Sequence, residues 1–516
     1  MGKINEITTP FMKYILFSLF LFPLYLLSQT FPVLEFQKFY ENPNGDDYVR
    51  RMVKTADGNL VLGGHSVYQA GGCTDLRLIK IDTAGRVIWE KKLPLEGCQE
   101  LNDMVATPDS SVVFVGSSSA MLEHYEDADN LYRSDFWVGK INKNGEFTWL
   151  KSMGGEGTDI GYSIAQLGAD FVLTGGSFSK EGEVMENHGA SDVWCLRVNS
   201  MGKPKFSTVI GGKGHEWAKT IAVCKNGDLI LAGFTNSDKL TGNISRIPTS
   251  RNGNALLIRM KENGQMLWLR TYPTPHGGIF NQIQEDQQGR IIVAGTYHVQ
   301  AYDSQFWLMK LTADGKTILD QKIGNLDNES LTCLAICHDT SYLFGGYSQS
   351  VRNGGDSLSK GKDDFHLFKM DKFGNIIWRK VYGGGDRERC YSVLEYAKGV
   401  LFAVGEKENY YTGDKKGDTD LWLLKITDHE CDSLPLNMFI RSNENNEVEV
   451  NQPVRLRAQH QHGQRFLWDF GDGTFAKEEQ PLKTFTQKGE FEINLTVYYS
   501  EACATSFTLP QKVIVK

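Results

Sequence analysis

The chain has 516 residues, enough for two or more domains with a large buried core, and carries a formal charge of -8. No block of lysines or arginines interrupts this acidic balance, which excludes a nucleic-acid footprint and a polybasic membrane patch. Nine cysteines leave at least one unpaired within a monomer.

The first element in chain order is the apolar run "YILFSLFLFPLYLL", Tyr14 to Leu27, flanked by Lys13 and by Ser28 and Gln29. Its length and flanks suit a signal peptide over residues 1–28 rather than a membrane-spanning helix, with cleavage expected after Ser28 and Met12 as the functional start. The mature chain is then expected to be exported: secreted, periplasmic or associated with the cell surface, with no transmembrane segment. No cysteine precedes Cys73, so a lipoprotein anchor near the cleavage site is not expected.

Next comes "VLEFQKFY", residues 33–40, a strand with no neighbour of its own. Its meaning follows from the internal repeat that succeeds it. Asp75, Asp135, Asp192, Asn254, Gln305, Asp364 and Asp420 each open a similar apolar stretch, and five residues later every copy has a basic residue: Lys80, Lys140, Arg197, Arg259, Lys310, Lys369 and Lys425. In the first six copies a second mark follows at Trp89, Trp149, Phe206, Trp268, Leu319 and Trp378. A glycine then recurs at Gly116, Gly176, Gly233, Gly295, Gly346 and Gly405, which makes the core of each unit constant in length. Gly85, Gly145, Gly202, Gly264, Gly315 and Gly374 end short polar turns, as a tight hairpin with a residue at positive φ requires.

Each unit therefore holds four short antiparallel strands, A to D from the centre outward, as in "EWAKTIAV", "LILAGFT", "ALLIRMK" and "MLWLRTY". The seventh unit ends at its C strand, "TDLWLLKIT". Its missing D strand is "VLEFQKFY", which matches "IIWRKVY" of the preceding unit with Phe36 over Trp378, Lys38 over Lys380 and Tyr40 over Tyr382. Phe36, Phe39 and Tyr40 are expected to be buried there. The predicted fold is all-β: a seven-bladed β-propeller over residues 33–427, closed by the N-terminal strand. Units such as "DFHLFKMDKFGNIIWRKVYGGGDRERCYSVLEYAKGVLFAVGE" resemble the glycine- and tryptophan-rich propeller repeats of exported bacterial proteins. That resemblance implies a fold and a presented surface, not a reaction.

After a linker at 428–436 the period is lost, and residues 437–516 read as one small β-sandwich. "WDFGDG", Trp468 to Gly473, with Phe485, "KGEF" and "INLTV" following, closely resembles a PKD domain, which implies an immunoglobulin-like sandwich. Trp468 is expected to plug its core. Asp469 and Asp472 are expected to shape the turn rather than to bind a metal.

Among residues that could carry chemistry, "CLAICH" lacks the haem spacing C-x-x-C-H, and strand alternation puts Cys333 and Cys337 on one face as packing residues. The seven strand-C cations are expected to pair locally along the blades. His460 and His462 lie in an exposed turn. No sialidase box and no G-x-S-x-G or H-E-x-x-H motif occurs. By position, Cys73 pairs with Cys98 on loops of one face, and Cys431 with Cys503 brackets the sandwich, while the other cysteines are buried.

The B-to-C connections alone vary widely in length, and with the D-to-A connections they share one face. Tyr125, Asp127, Asp129 and Tyr132 in one such loop, and Tyr410, Tyr411, Asp414 and Asp418 in another, are the candidate ligand-binding residues. They suit a surface glycan or a protein epitope. No cofactor is expected; calcium at either acidic cluster lacks an EF-hand-like spacing. The expected function is noncatalytic binding or adhesion. The rivals are a propeller-borne polysaccharide-degrading enzyme, which needs two converging carboxylates, and a structural component of a cell-surface assembly.

Overall fold

The computed structural model describes residues 30–42, 45–68, 73–93, 97–119, 134–184, 186–241, 247, 252–300, 303–349, 362–408, 419–430, 437–440, 446–460, 463–499, 504–509 and 511–516. The apolar run at 14–27, Cys431, His462 and Cys503 lie outside them. Seven four-stranded antiparallel sheets occupy the span from Thr30 to Glu430. Six are built from consecutive strands. The seventh takes its inner three strands from the end of this span and its outer strand, Thr30–Tyr40, from the beginning. That strand pairs antiparallel with Thr419–Glu430, so that Phe39 lies opposite Trp422.

The core is divided among the sheets. B strands such as Val112–Ser118 are buried along their whole length because sheets cover both faces, which is why they read as unbroken apolar runs. D strands such as Val87–Leu93 are largely exposed. One apolar cluster lies between each pair of successive sheets, for example Val61, Leu78, Met104 and Phe114 between the first and second. An equivalent cluster, with Val49, Leu62, Phe402 and Leu423, lies between the seventh sheet and the first. The fold is propeller-like.

The recurring glycine has a steric cause. Every A strand carries a β-bulge: Arg50, Asn102, Tyr162, Lys219, Asn281, Thr332 and Tyr391 are skipped in the ladder to strand B. Opposite the bulge, the A-strand backbone folds over strand B. A Cβ at Gly116 would stand 1.7 Å from the Glu100 carbonyl oxygen, and one at Gly346 2.0 Å from that of Ser330. In the third sheet the structure corrects the repeat. Gly175, not Gly176, faces both the bulge and Trp194, because the A-to-B turn there is one residue shorter.

The repeated cations and tryptophans tie neighbouring sheets. Lys80 Nζ reaches Asp57 at 2.5 Å in its own A-to-B turn and donates to the Lys143 carbonyl of the next sheet at 3.2 Å. Arg259 does the same with Asp228 at 2.9 Å and the Ala313 carbonyl at 2.7 Å. The indoles of Trp89 and Trp149 donate to the Lys143 and Ser200 carbonyls at 2.9 and 3.1 Å. The N-terminal strand follows this rule, since Tyr40 donates to the Gly85 carbonyl at 3.0 Å as Tyr272 donates to that of Gly315 at 2.8 Å. Of the three aromatics expected to be buried in it, Tyr40 is, Phe36 is half-buried, and Phe39 is 40 % exposed. Strand alternation puts Phe39 on the face opposite to Tyr40, beside its partner Trp422 at the rim of the cluster between the sixth and seventh sheets.

Residues beyond Asn437 form three small sheets around Trp468, which is fully buried and donates to the Glu478 carbonyl at 3.0 Å. Asp469 and Asp472 accept the Gly471 and Thr474 amides, and Gly471 and Gly473 take φ of 72° and 84°, as the turn reading expects. One core residue comes from elsewhere. Phe31, at the start of the N-terminal strand, is fully buried among Trp468, Val513 and Tyr499, stacking on Tyr499 with ring centroids 5.0 Å apart.

Candidate functional site

All eight candidate ligand residues, Tyr125, Asp127, Asp129, Tyr132, Tyr410, Tyr411, Asp414 and Asp418, lie outside the described residues. The face expected for them is described at other places, around the starts of the A strands and the ends of the B strands. The disulfide Cys73–Cys98 sits there.

An aromatic row crosses this face. Trp217, second in its A strand, lies opposite Phe234 and stacks on it with centroids 4.8 Å apart and planes 17° from parallel. His215 continues the row 6.2 Å from Trp217, and the exposed Phe178 extends it a further 6.0 Å. Beside it opens a cavity of about 260 Å³ lined by Trp217, Phe234, Asn252, His276, Ile279 and His298, with Gly278 between them. Two glycines make the room: a side chain at Gly253 would meet the Phe234 ring at 2.2 Å, and one at Gly278 the Trp307 ring at 2.9 Å.

The polar groups of this cavity are few. Burial holds the His298 imidazole below its ordinary pKa, so it is neutral at pH 7. Asn252 donates to the His276 carbonyl at 3.1 Å. The Trp217 indole N–H is buried without an acceptor among the described residues, so it is the ring face of Trp217 that borders the cavity. The lining includes no carboxylate. Such a site offers stacking faces and a small number of neutral hydrogen-bonding groups.

A second cavity, of about 320 Å³, lies at the centre, lined by residues of all seven A strands. The seven bulges supply its wall. Three of the bulge residues tie one A strand to the next: Asn102 donates to the Gly161 carbonyl at 2.8 Å, Asn281 to that of Leu331 at 2.8 Å, and Thr332 to that of Cys390. Arg50, Tyr162, Lys219 and Tyr391 carry the rest. Arg50 pairs with Glu406 at 2.8 Å and lies over the Tyr391 ring at 4.9 Å. Burial pushes Glu406 up to about 7 even with Arg50 and Arg389 beside it, and pushes Lys219 down to about 8 with help from the Arg50 charge. The Lys219 ammonium stands 3.4 Å from the Tyr162 ring centroid.

Sequence reasoning missed both cavities. The central ring leaves one trace: the bulge position is Arg, Asn, Tyr, Lys, Asn, Thr and Tyr, never an aliphatic residue, within strands that are otherwise mostly apolar. Cys333 and Cys337 are buried in one inter-sheet cluster, where Cys333 approaches Cys390 to 3.6 Å between sulfurs, a packing contact. His460 pairs with Glu479 at 3.1 Å. Among the described residues, no group of three or more His, Cys, Asp or Glu is arranged to hold a metal ion, and no helix is long and apolar enough to cross a membrane.

Residues 439–515 match the model of the PKD domain family. No curated protein matches the chain in sequence. Solved structures similar to it include a fungal alcohol oxidase of the AA5 family in complex with copper, 13 % identical over 92 % of this chain and 99 % of that one, with a TM-score of 0.46. The Neurospora crassa Pan2 WD40 domain is 9 % identical over 77 % of this chain and 96 % of its own, with a TM-score of 0.45. The Kuenenia stuttgartiensis hydrazine synthase is 11 % identical over 77 % and 98 %, with a TM-score of 0.43. At these scores the likenesses carry nothing about chemistry.

Proposed function

We propose that the chain is an exported, noncatalytic binding protein. In this reading a seven-bladed propeller over residues 33–427, closed into a ring by the N-terminal strand, recognises carbohydrate on the face of its B-to-C loops. The PKD domain, at 437–516, serves as spacer or second contact. The observation that carries the reading is the Trp217–Phe234 stack beside the cavity, because a pyranose ring presents an apolar C–H face to an aromatic wall and its hydroxyls to neutral groups such as Asn252 and His298. The PKD domain and the Cys73–Cys98 disulfide support an extracellular setting, as does the apolar run at 14–27. A polysaccharide-degrading enzyme needs two converging carboxylates, or one with His or Tyr, and the aromatic cavity has none in its lining.

The test is a glycan panel probed with the full chain and its variants. Trp217→Ala is expected to weaken binding about 10- to 30-fold in a protein that still folds cooperatively. Replacing 120–132 and 409–418 by short Gly/Asn linkers is expected to narrow the range of glycans bound. Full binding by a folded Trp217→Ala variant, with loss on changing the opposite, short-turn face, would place recognition elsewhere.

A further inference from the structure

The geometry points to a second binding site, in the central cavity, for a small carboxylate-bearing ligand held between the Lys219 ammonium, the Arg50 guanidinium and the phenols of Tyr162 and Tyr391. The cavity belongs to no sheet alone, since all seven A strands contribute to its lining. Its size, about 320 Å³, is that of a monosaccharide-scale pocket. Three bulge side chains are already used between neighbouring A strands, and the four left are two cations and two phenols.

The charge balance selects the ligand. Arg50 has its counterion in Glu406, 2.8 Å away, and Arg51, also in the lining, has its own in Asp103 at 3.1 Å. Lys219 has no carboxylate within 4.0 Å among the described residues, and its ammonium rests against the face of Tyr162. An ammonium with no contacting carboxylate at a partly desolvated site, where burial and the Arg50 charge outweigh the more distant Glu100, gains from one added negative charge. A monoanion fits that deficit, and a carboxylate takes two donors while leaving the phenols for neighbouring hydroxyls.

The pH dependence follows from the groups facing Lys219: Arg50 on the first A strand, Glu100 on the second and Tyr162 on the third. The charged ammonium is the binding form, with a pKa of about 8, and Glu406 beside Arg50 becomes fully charged above about 7, so both groups make affinity fall as pH rises from 6.5 to 9.5. Burial raises both phenols above their ordinary pKa, so they stay protonated donors over the same range.

The experiment is isothermal titration of the full chain with D-glucuronate, D-glucose and sulfate at pH 6.5 and 9.5. Glucuronate is expected to bind at pH 6.5, at least about tenfold more tightly than glucose, and more weakly at pH 9.5. Lys219→Met keeps the stem over Tyr162 and is expected to lose about tenfold or more, while Lys219→Arg keeps the charge and retains binding. Glycan binding on the loop face should be unchanged in both variants, which separates this site from the one at Trp217. Equal affinity for glucose, wild-type affinity in Lys219→Met, or binding of sulfate without glucuronate would overturn the assignment.

Discussion

A chain lacking residues 30–40 is expected to lose the cooperative unfolding of both its parts, because this one strand serves two cores. Tyr40 is buried between the seventh sheet and the first, and Phe31 is buried in the PKD domain. Phe31→Ala separates the two roles. Phe-to-Ala changes at fully buried sites cost about 3–5 kcal/mol, against total domain stabilities of about 5–15 kcal/mol. Differential scanning calorimetry of Phe31→Ala should therefore show the small-domain transition lowered by more than about 10 °C, with the transition of the seven sheets unmoved. Unchanged melting and monomeric behaviour after deletion of 30–40 would mean that the strand completes neither core.

Gly175→Ala and Gly176→Ala are expected to differ sharply although the residues are adjacent. At Gly175 a Cβ would lie 1.8 Å from the Ile160 carbonyl oxygen and 2.7 Å from the Phe136 ring, so the bulge must open. The cost is about 1–3 kcal/mol or more. At Gly176 the nearest atom is the Trp217 Cβ at 3.2 Å, which a small shift relieves, and the change should lie within about 1 kcal/mol. Urea denaturation of the two variants decides which glycine faces the bulge. Equal stability would remove the steric account of the repeat's glycine.

The fold was legible in the sequence because each sheet needs the same few contacts, and these fix residue type. Lys80, Lys140, Arg259 and Lys369 on strand C each reach a carboxylate of an A-to-B turn, and the glycine of the C-to-D turn takes positive φ, so Lys80 and Gly85 recur in register. Where geometry permits variety, the pattern vanishes. Bulge residues line a cavity that admits side chains of different length, so Arg50, Tyr162 and Lys219 share only polarity, and the central cavity had no periodic signal. The "GG" at Gly175 and Gly176 hid a one-residue shortening that only the pairing of Gly175 with Gly161 and Trp194 resolves. Phe31 reads as one more strand residue, and its burial depends on Tyr499 at the far end of the chain. Long B-to-C loops mark a face, but the row from Phe178 to Phe234 arises from strand termini in different sheets, and no local spacing announces it.

Recognition of carbohydrate by the Trp217 wall is tested most directly by NMR of the chain labelled with ¹⁵N at its tryptophan indoles. Ten indole resonances are expected from the ten tryptophans, and Trp217→Phe assigns the one of interest. On titration with a glycan taken from the panel, the Trp217 indole resonance should shift as a sugar ring packs beside the Trp217–Phe234 stack, while Trp468, buried in the other domain, stays fixed. Saturable binding that leaves the Trp217 resonance in place and moves the indoles of Trp89 or Trp149, near the short-turn face, would contradict the account.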